Sequence, residues 1–337
     1  MLLSVVVPIY NEEEVLPEFH RRIVDAVNSL AFDVEILYVN DGSTDNTLLL
    51  LQDLYCKDPR VAVIDVSRNF GKEIALTAGL DHANGDAVVV IDADLQDPPE
   101  LIPELVRWWK EGYDVVYAKR ISRSGESFFK RATAHVFYRL IQQVSRVKIP
   151  QDTGDYRLLS RRAVNSLRQL REQHRFMKGL FAWIGYPQKE VLYHRDPRFA
   201  GKTKWNYWRL WNFALEGITS FTITPLRTAT YLGLITALSA FVYALVVMYR
   251  TLIYGNPVAG YPSLMVVILF LGGMQLTTIG ILGEYLGRVF DESKQRPLYF
   301  LKAYHPTRQQ RNSANASHVG NEGLITASTT DFARSIR

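Results

Sequence analysis

The sequence predicts an α/β protein with a mostly parallel, Rossmann-like sheet, followed by a C-terminal region of two transmembrane helices. Apolar runs that suit strands alternate with helix-like segments up to about residue 200. Polar motifs follow several of these runs directly, where the chain leaves the sheet. Beyond Arg227, residues 228–249 and 251–283 carry no charged side chain.

The strands and helices of the first part are expected to alternate along the chain. Strands are predicted at Ser4–Ile9, Val34–Val39, Val61–Val66, Ala87–Ile91 and Val115–Ala118, and helices at Glu13–Ser29, Asp45–Tyr55, Lys72–Ala83 and Glu100–Glu111. Met1–Pro8 is too short and uncharged for a signal peptide, so it is assigned to the first strand. No G-x-G-x-x-G follows that strand, which argues against a dinucleotide dehydrogenase.

Charge and cysteine content narrow the class of protein. The 337 residues carry a net charge of +5, and much of the basic charge lies between Lys119 and Arg209, just before the uncharged stretches. The sequence contains no zinc-finger spacing or RNA-binding aromatic motif, so phosphorylated substrates and a membrane surface are expected and nucleic acid is not. The single cysteine, Cys56, excludes an internal disulfide and suits a reducing compartment.

Each uncharged stretch is long enough to cross a bilayer, since about 20 helical residues span the hydrocarbon core. Spans are predicted near 228–250 and 262–284, joined by the polar hairpin 254–262. Buried core helices are the alternative interpretation. The hairpin is nearly free of basic residues, while the segments on the other sides of the spans carry Arg227, Arg288, Lys294 and Arg296. The positive-inside rule therefore places both termini in the cytoplasm. Residues 205–226 suit an amphipathic juxtamembrane helix or an ordinary core helix, and the polar residues from 307 onward suit a disordered tail.

The run Asp92-Ala93-Asp94-Leu95-Gln96-Asp97 at the end of a predicted strand is the most informative motif. Carboxylates spaced i, i+2 at a strand end can converge on a hard divalent cation that also holds a diphosphate. A solvated acidic turn before a helix is the alternative for such a motif on its own.

The other strand ends also carry polar motifs. Tyr10 and Glu12 follow the first strand and Asp41 and Ser43 the second, where an aromatic ring and carboxylates can contact a nucleoside. Lys72 follows the third and can lie beside a diphosphate. Each of these motifs also suits a helix cap or a solvated turn.

Together the motifs resemble those of the family-2 inverting glycosyltransferases of GT-A fold, and among them the polyprenyl-phosphate glycosyltransferases, closest to the bactoprenol glucosyltransferases of O-antigen modification. The motifs that carry the resemblance are Pro8-x-Tyr10-Asn11-Glu12, Asn40-Asp41-Gly42-Ser43, Asp92 to Pro98, Asp152-Thr153-Gly154-Asp155-Tyr156-Arg157 and Arg198-Phe199-Ala200-Gly201-Lys202-Thr203-Lys204. The similarity runs from residue 2 to about 305.

The resemblance implies a role for each matching residue. It implies metal and diphosphate binding by Asp92, Asp94 and Gln96 with Mg²⁺ or Mn²⁺, donor binding by Pro8, Tyr10, Glu12, Asp41, Ser43, Lys72 and Asp92, catalysis by Asp155 with Asp94, and acceptor-phosphate binding by Lys119, Arg120, Arg131, Arg198 and Lys204. The second carboxylate, Asp152, suits a turn cap.

The implied reaction is transfer of glucose from UDP-glucose to undecaprenyl phosphate at the cytoplasmic face of a bacterial inner membrane. GDP-mannose or a modified UDP-sugar is the alternative donor, and a non-catalytic membrane-anchored binding subunit is the alternative class. The implied organisation is a catalytic domain at 1–204, a juxtamembrane helix at 205–226, membrane helices within 227–290, a cytoplasmic return segment at 291–306 and a tail at 307–337. The family also implies association of the spans into a homo-oligomer, with a tetramer as one arrangement.

Overall fold

The computed structural model describes residues 1–121, 153–194, 224–254, 260–308 and 310–311. The strands are β1 (Leu2–Ile9), β2 (Asp33–Asn40), β3 (Val61–Val66), β4 (Ala87–Val90), β5 (Val115–Arg120), β6 (Thr153–Ser160), β7 (Gln188–Tyr193) and β8 (Leu301–His305). The helices are α1 (Leu16–Asn28), α2 (Thr47–Lys57), α3 (Lys72–His82), α4 (Ile102–Lys110), α5 (Arg161–Gln169), α6 (Met177–Trp183), α7 (Thr224–Tyr254) and α8 (Tyr261–Ser293).

These strands form one eight-stranded sheet in the order β7-β5-β6-β4-β1-β2-β3-β8. Strands β4, β1, β2 and β3 are mutually parallel, whereas β6 and β8 run antiparallel to their neighbours. The mostly parallel sheet expected from the sequence is confirmed. All five predicted strands exist, with ends that differ from the predictions by two residues at most.

The central strands are buried on both faces, which explains their continuous apolar sequences. Val5 and Val7 of β1 face one hydrophobic core together with Phe19 of α1. Val6 faces the other core, which contains Leu76 of α3. The sheet therefore carries helices on both sides.

Three predicted helices have different N-terminal ends in the structure, and one of them, α2, begins at Thr47 rather than Asp45. Helix α1 begins at Leu16 rather than Glu13, because Glu12 first accepts hydrogen bonds from the backbone N–H groups of Val15 and Leu16 in a turn. The segment predicted as Glu100–Glu111 divides into a 3₁₀ turn, Pro99–Leu101, and α4.

Helices α7 and α8 are long and apolar enough to cross a membrane. The apolar segments are Leu226–Tyr254 and Val266–Ser293, with mean hydropathies of 2.1 and 2.0. The most apolar part of each segment contains no buried residue among those that the structure describes. Leu234 and Phe270, for example, are more than 60% exposed. Exposed apolar helices of this length suit a lipid environment rather than a protein core.

The C-terminal part departs from the sequence prediction, because the return segment adds a strand to the sheet. Strand β8 pairs antiparallel with β3, and the N–H of Ser67 donates to the carbonyl of Phe300 at 2.9 Å. Thr307, predicted to begin a disordered tail, is 3% exposed, and Gln310 donates a hydrogen bond to Glu35. The backbone of β3 would otherwise be an open edge, and β8 supplies its hydrogen-bond partners. Residues 205–223 and 312–337 lie outside the described residues.

Candidate active site

The polar motifs of the sequence meet at the carboxyl-terminal edge of the parallel strands. Strands β1, β2, β3 and β4 end at Ile9, Asn40, Val66 and Val90. The segments that follow them include Tyr10–Glu12, Asp41–Ser43, Arg68–Lys72 and Asp92–Asp97. Ligands of open α/β sheets bind at this edge, which is where the sequence predicts the site.

Asp41 fixes the loop that leads into α3. Its two carboxylate oxygens accept hydrogen bonds from the backbone N–H groups of Phe70 and Gly71, at 2.8 and 2.9 Å. The neighbouring Gly42 has a φ of +65°, and a Cβ there would lie 2.7 Å from the backbone of Arg68. Only glycine fits this approach, which brings the loops after β2 and β3 together. Asp41 is 3% exposed, and burial raises its pKa.

Ser43 joins the loops after β1 and β2. Its hydroxyl oxygen accepts a hydrogen bond from the N–H of Asn11 at 3.0 Å, and the Asn11 side chain accepts one from the N–H of Thr44 at 2.8 Å. Asn11 holds a φ of 53°, which its short polar side chain tolerates. Pro8 and Tyr10 are half-buried beside this junction. Their role in nucleoside binding, like that of Glu12, remains a prediction.

A lysine lies between two carboxylates at the centre of the edge. The Lys72 Nζ is 2.7 Å from Oδ2 of Asp92 and 2.5 Å from Oδ2 of Asp155. Asp92 follows β4 and Asp155 belongs to β6, and these strands pair with Val90 opposite Arg157. Continuing that register by two residues places Asp92 opposite Asp155. The sheet itself therefore builds the pair, and α3 presents the lysine to it from its first residue.

The two carboxylates have opposite pKa shifts. Burial raises the pKa of Asp92 to about 6, with Lys72 opposing the shift and Asp155 adding to it. Burial also acts to raise the pKa of Asp155, but the ammonium groups of Lys72 and Lys178 outweigh it and hold that pKa well below its ordinary value. The Oδ1 atoms of both aspartates are buried and have no hydrogen-bond partner among the described residues. Divergent pKa values and unsatisfied polar atoms are typical of a functional site.

Three further charged residues, Glu73, Lys178 and Arg157, lie around Asp155, and the sequence predicted a role for none of them. Burial, and then the charge of Asp155, raises the pKa of Glu73 to about 7. An oxygen of Glu73 accepts a hydrogen bond from the N–H of Met177 at 3.2 Å, next to Lys178. Arg157 is 4% exposed and donates to the carbonyls of Gly154 and Asp155. The available signals were the residues Lys72-Glu73 and the Phe176-Met177-Lys178-Gly179 segment.

The remaining acidic residues continue away from the lysine. Oδ1 of Asp94 accepts a hydrogen bond from the N–H of Gln96 at 3.1 Å, and both side chains are partly exposed. Asp97 is buried and accepts a hydrogen bond from the Tyr193 hydroxyl, which in turn accepts one from Arg120 Nε at 3.2 Å. Arg120 is thereby fixed beside the acidic run.

The donor set of this edge fits a divalent cation bound together with a phosphorylated ligand. Within the described ranges no three His, Cys, Asp or Glu side chains form a ready metal cage. The buried, unpartnered Oδ1 of Asp92 and the partly exposed Asp94 are hard oxygen donors. Mg²⁺ is typically held by one or two carboxylates together with substrate phosphates and water. The carboxylates at this edge can supply the protein's share of those ligands.

The predicted acceptor-phosphate residues are only partly described. Arg120 lies at the site, with its guanidinium 3.3 Å from the point where a Cβ on Gly154 would be. Lys119, on the same strand, forms an ion pair with Glu190 at 2.8 Å. Arg131, Arg198 and Lys204 lie outside the described residues, and so does Asp152.

Comparison with known proteins gives a family match and several relatives. Residues 4–168 match the family described as glycosyl transferase family 2. A bactoprenol glucosyl transferase of Shigella phage SfV is 50% identical over 90% of this chain and 98% of its own length. An uncharacterised glycosyltransferase of Synechocystis sp. is 55% identical over 89% of this chain and 94% of its own length.

Among solved structures, glucosyl-3-phosphoglycerate synthase from Mycobacterium tuberculosis aligns with a TM-score of 0.46 and 22% identity, covering 65% of this chain and 77% of that one. The GT-A fold class expected from the sequence is confirmed by the family match and the observed sheet.

Proposed function

Because the chain belongs to glycosyl transferase family 2, we propose that it transfers glucose from UDP-glucose to undecaprenyl phosphate with inversion at the anomeric carbon. The observation that carries the proposal is the centre formed by Asp92, Lys72 and Asp155 at the carboxyl edge of the sheet. It combines carboxylates, which can bind a cation, with an ammonium group, which can bind phosphates. The lipid acceptor is inferred from the bactoprenol glucosyl transferase relatives, whose match spans about 90% of this chain.

The donor is proposed to bind across the ends of β1, β2 and β4. The half-buried ring of Tyr10 can stack on the base, and Glu12 and Asp41 can accept hydrogen bonds from the base or the ribose. Pro8 and Ser43 are proposed to line this nucleoside pocket. Lys72 contacts Asp155 at the same edge of the sheet, and the diphosphate is proposed to bind beside it.

Asp92, Asp94 and Gln96 would hold Mg²⁺ or Mn²⁺ on the diphosphate. Bound there, the ion supplies positive charge to the departing nucleoside diphosphate. The protein's own contribution on that side is Lys72, whose charge favours the same leaving group.

The acceptor does not need a strong base. The second pKa of a phosphate monoester is near 6, so at pH 7 the lipid phosphate is mostly a dianion. A low pKa keeps Asp155 ionised, so it is suited to orienting groups around it rather than to taking a proton near pH 7. Arg120 and Lys119, with Arg131, Arg198 and Lys204, are proposed to receive the acceptor phosphate. A single displacement on an α-linked donor gives a β-linked lipid product.

The apolar helices suit this acceptor. Helices α7 and α8 are proposed to span the bacterial inner membrane, with the catalytic domain and both termini in the cytoplasm. The row Gly272, Gly273, Gly280, Gly283 and Gly287 on α8 permits close approach of helices, and we propose that the protein is a homo-oligomer.

A panel of radiolabelled donors tests the proposal. Purified full-length protein is incubated with undecaprenyl phosphate and UDP-glucose, GDP-mannose or another UDP-sugar, with and without chelator, and lipid-linked sugar is extracted. UDP-glucose should label the lipid most strongly, and chelator should stop the reaction. Preference for another donor would refute the donor assignment, while absence of label from every donor would refute the reaction class.

A further inference from the structure

Lys72 is the one cation that bridges the two central carboxylates in the part of the chain that the structure describes. Its Nζ contacts the Oδ2 atoms of Asp92 and Asp155 at 2.7 and 2.5 Å. The Lys72 side chain is nevertheless 44% exposed, whereas that of Asp155 is 9% exposed. Asp155 belongs to β6 and Asp92, whose side chain is 26% exposed, follows β4, whereas the lysine reaches both on a long and more exposed side chain.

The Lys72 bridge disfavours the binding of a second cation at this edge of the sheet. The two carboxylates carry two negative charges, and the ammonium already neutralises one of them. A divalent cation on Asp92 would lie within a few ångströms of that ammonium, at a distance where like charges repel strongly even at intermediate dielectric constants. The charges become compatible when a diphosphate enters, because its oxygens provide partners for both cations.

We propose that Lys72 makes divalent-metal binding depend on the nucleoside diphosphate. In the ligand-free protein its ammonium serves as the counter-ion of Asp92 and Asp155. When the metal and the nucleotide arrive together, the ammonium turns from Asp92 to a diphosphate oxygen, which its exposed side chain permits. The inference rests on the proposed function for its ligands, and it adds that Lys72 couples the binding of the metal to that of the donor.

A purely structural lysine would behave differently. It would stabilise the fold by pairing two aspartates, and its loss would lower the melting temperature without changing how UDP affects metal affinity. The quantity that separates the two roles is the coupling ratio, which is the Mn²⁺ affinity with UDP divided by the affinity without UDP.

The test measures Mn²⁺ binding to the full chain in detergent at pH 8. Free Mn²⁺ is followed by electron paramagnetic resonance, with and without saturating UDP. The variant is Lys72→Met, which keeps the stem and removes the charge, and Lys72→Gln is the second neutral variant if the first melts early. Lys178→Met is the matched control, because Lys178 acts on Asp155 through its charge but forms no hydrogen bond with either aspartate in the described contacts.

Wild-type protein should bind Mn²⁺ weakly alone and at least about tenfold more tightly with UDP. Lys72→Met should bind Mn²⁺ alone about tenfold more tightly than wild type, so that its coupling ratio falls, while Lys178→Met keeps most of the ratio.

Three results overturn the inference: an unchanged ratio in both neutral variants, an equal fall in Lys178→Met, or wild-type Mn²⁺ affinity that is indifferent to UDP. Absence of Mn²⁺ binding to wild type even with UDP overturns the metal site of the proposed function itself, which is a distinguishable failure.

Discussion

Replacing Asp155 by Asn tests whether this carboxylate orients the reacting groups or removes a proton. The substitution keeps the shape of the side chain and removes the charge that lies 2.5 Å from Lys72 Nζ. Breaking a fully buried ion pair costs about 3–5 kcal/mol. Lys72 is 44% exposed and keeps Asp92 as a partner, so a smaller loss of stability, about 1–2 kcal/mol, is expected.

The effect on turnover should be larger than the effect on stability. Misplacement of a reacting group by about 1 Å can cost about 100-fold in rate, and we expect a fall in kcat of that order. Donor affinity should change little, since the aspartate lies on β6 and the proposed nucleoside pocket on β1 and β2. The residual rate should rise with pH around 6, as the acceptor phosphate becomes a dianion.

The assay is lipid-linked product formation by the purified protein between pH 5 and 9, with thermal unfolding followed by tryptophan fluorescence. Asp114→Asn is the matched control, because Asp114 is also a buried carboxylate, 5% exposed, paired with Arg162 at the opposite end of β5. It should lower stability and leave kcat unchanged. A wild-type rate in Asp155→Asn would refute the role of this residue, and recovery of the rate at high pH would show proton abstraction instead.

Four further predictions follow from the site and the fold. Asp94→Asn should abolish transfer, because it removes a charged ligand of the proposed metal, while Gln96→Ala should retain part of the activity. Retained turnover in Asp94→Asn, or wild-type activity in EDTA equal to that with added metal, would contradict this. Arg120→Ala should raise the apparent KM for undecaprenyl phosphate and leave UDP binding, measured calorimetrically, near wild type; an equal loss of UDP affinity would move Arg120 to the donor site. Glu73 has a pKa raised from 4.5 to about 7 in the folded protein, so its contribution to stability is present below pH 4.5 and is lost as the pH rises through 7. Glu73→Gln should therefore flatten the pH dependence of unfolding in that window by up to about 3 kcal/mol, and an unchanged profile would refute the raised pKa. Tyr304→Ala removes the ring contact between β8 and His82, whose centroids are 4.9 Å apart, and should lower the melting temperature by the equivalent of about 1 kcal/mol; an unchanged melting temperature would show that β8 contributes little.

The sequence was most informative where strands are buried on both faces. The runs around Val5, Ile36 and Val89 are continuous and apolar because helices cover both sides, so their strands were recognised almost to the residue. Strands β6, β7 and β8 were missed. β6 carries Asp155 and Arg157 inside the sheet, and β7 and β8 lie at its edges, where polar side chains face solvent.

The centre of the site depended on pairing that one sequence does not reveal. Strand ends were sufficient to bring Asp92 and Lys72 to the same edge. Asp92 lies opposite Asp155 because β4 and β6 pair in an antiparallel register, which joins residues more than 60 positions apart. Glu73 and Lys178 received no role, because a glutamate and a lysine carry no signal in the sequence until the fold brings both beside Asp155.

Product identification tests the central claim most directly. Full-length wild-type protein is incubated with UDP-glucose, Mg²⁺ and undecaprenyl phosphate, and the lipid fraction is analysed by mass spectrometry and by cleavage with an anomer-specific glucosidase. The proposed function predicts a polyprenyl-phosphate hexose with a β-linkage, formed by wild type and lost in Asp94→Asn. An α-linked product, free glucose without lipid product, or lipid product that persists in Asp94→Asn would contradict it.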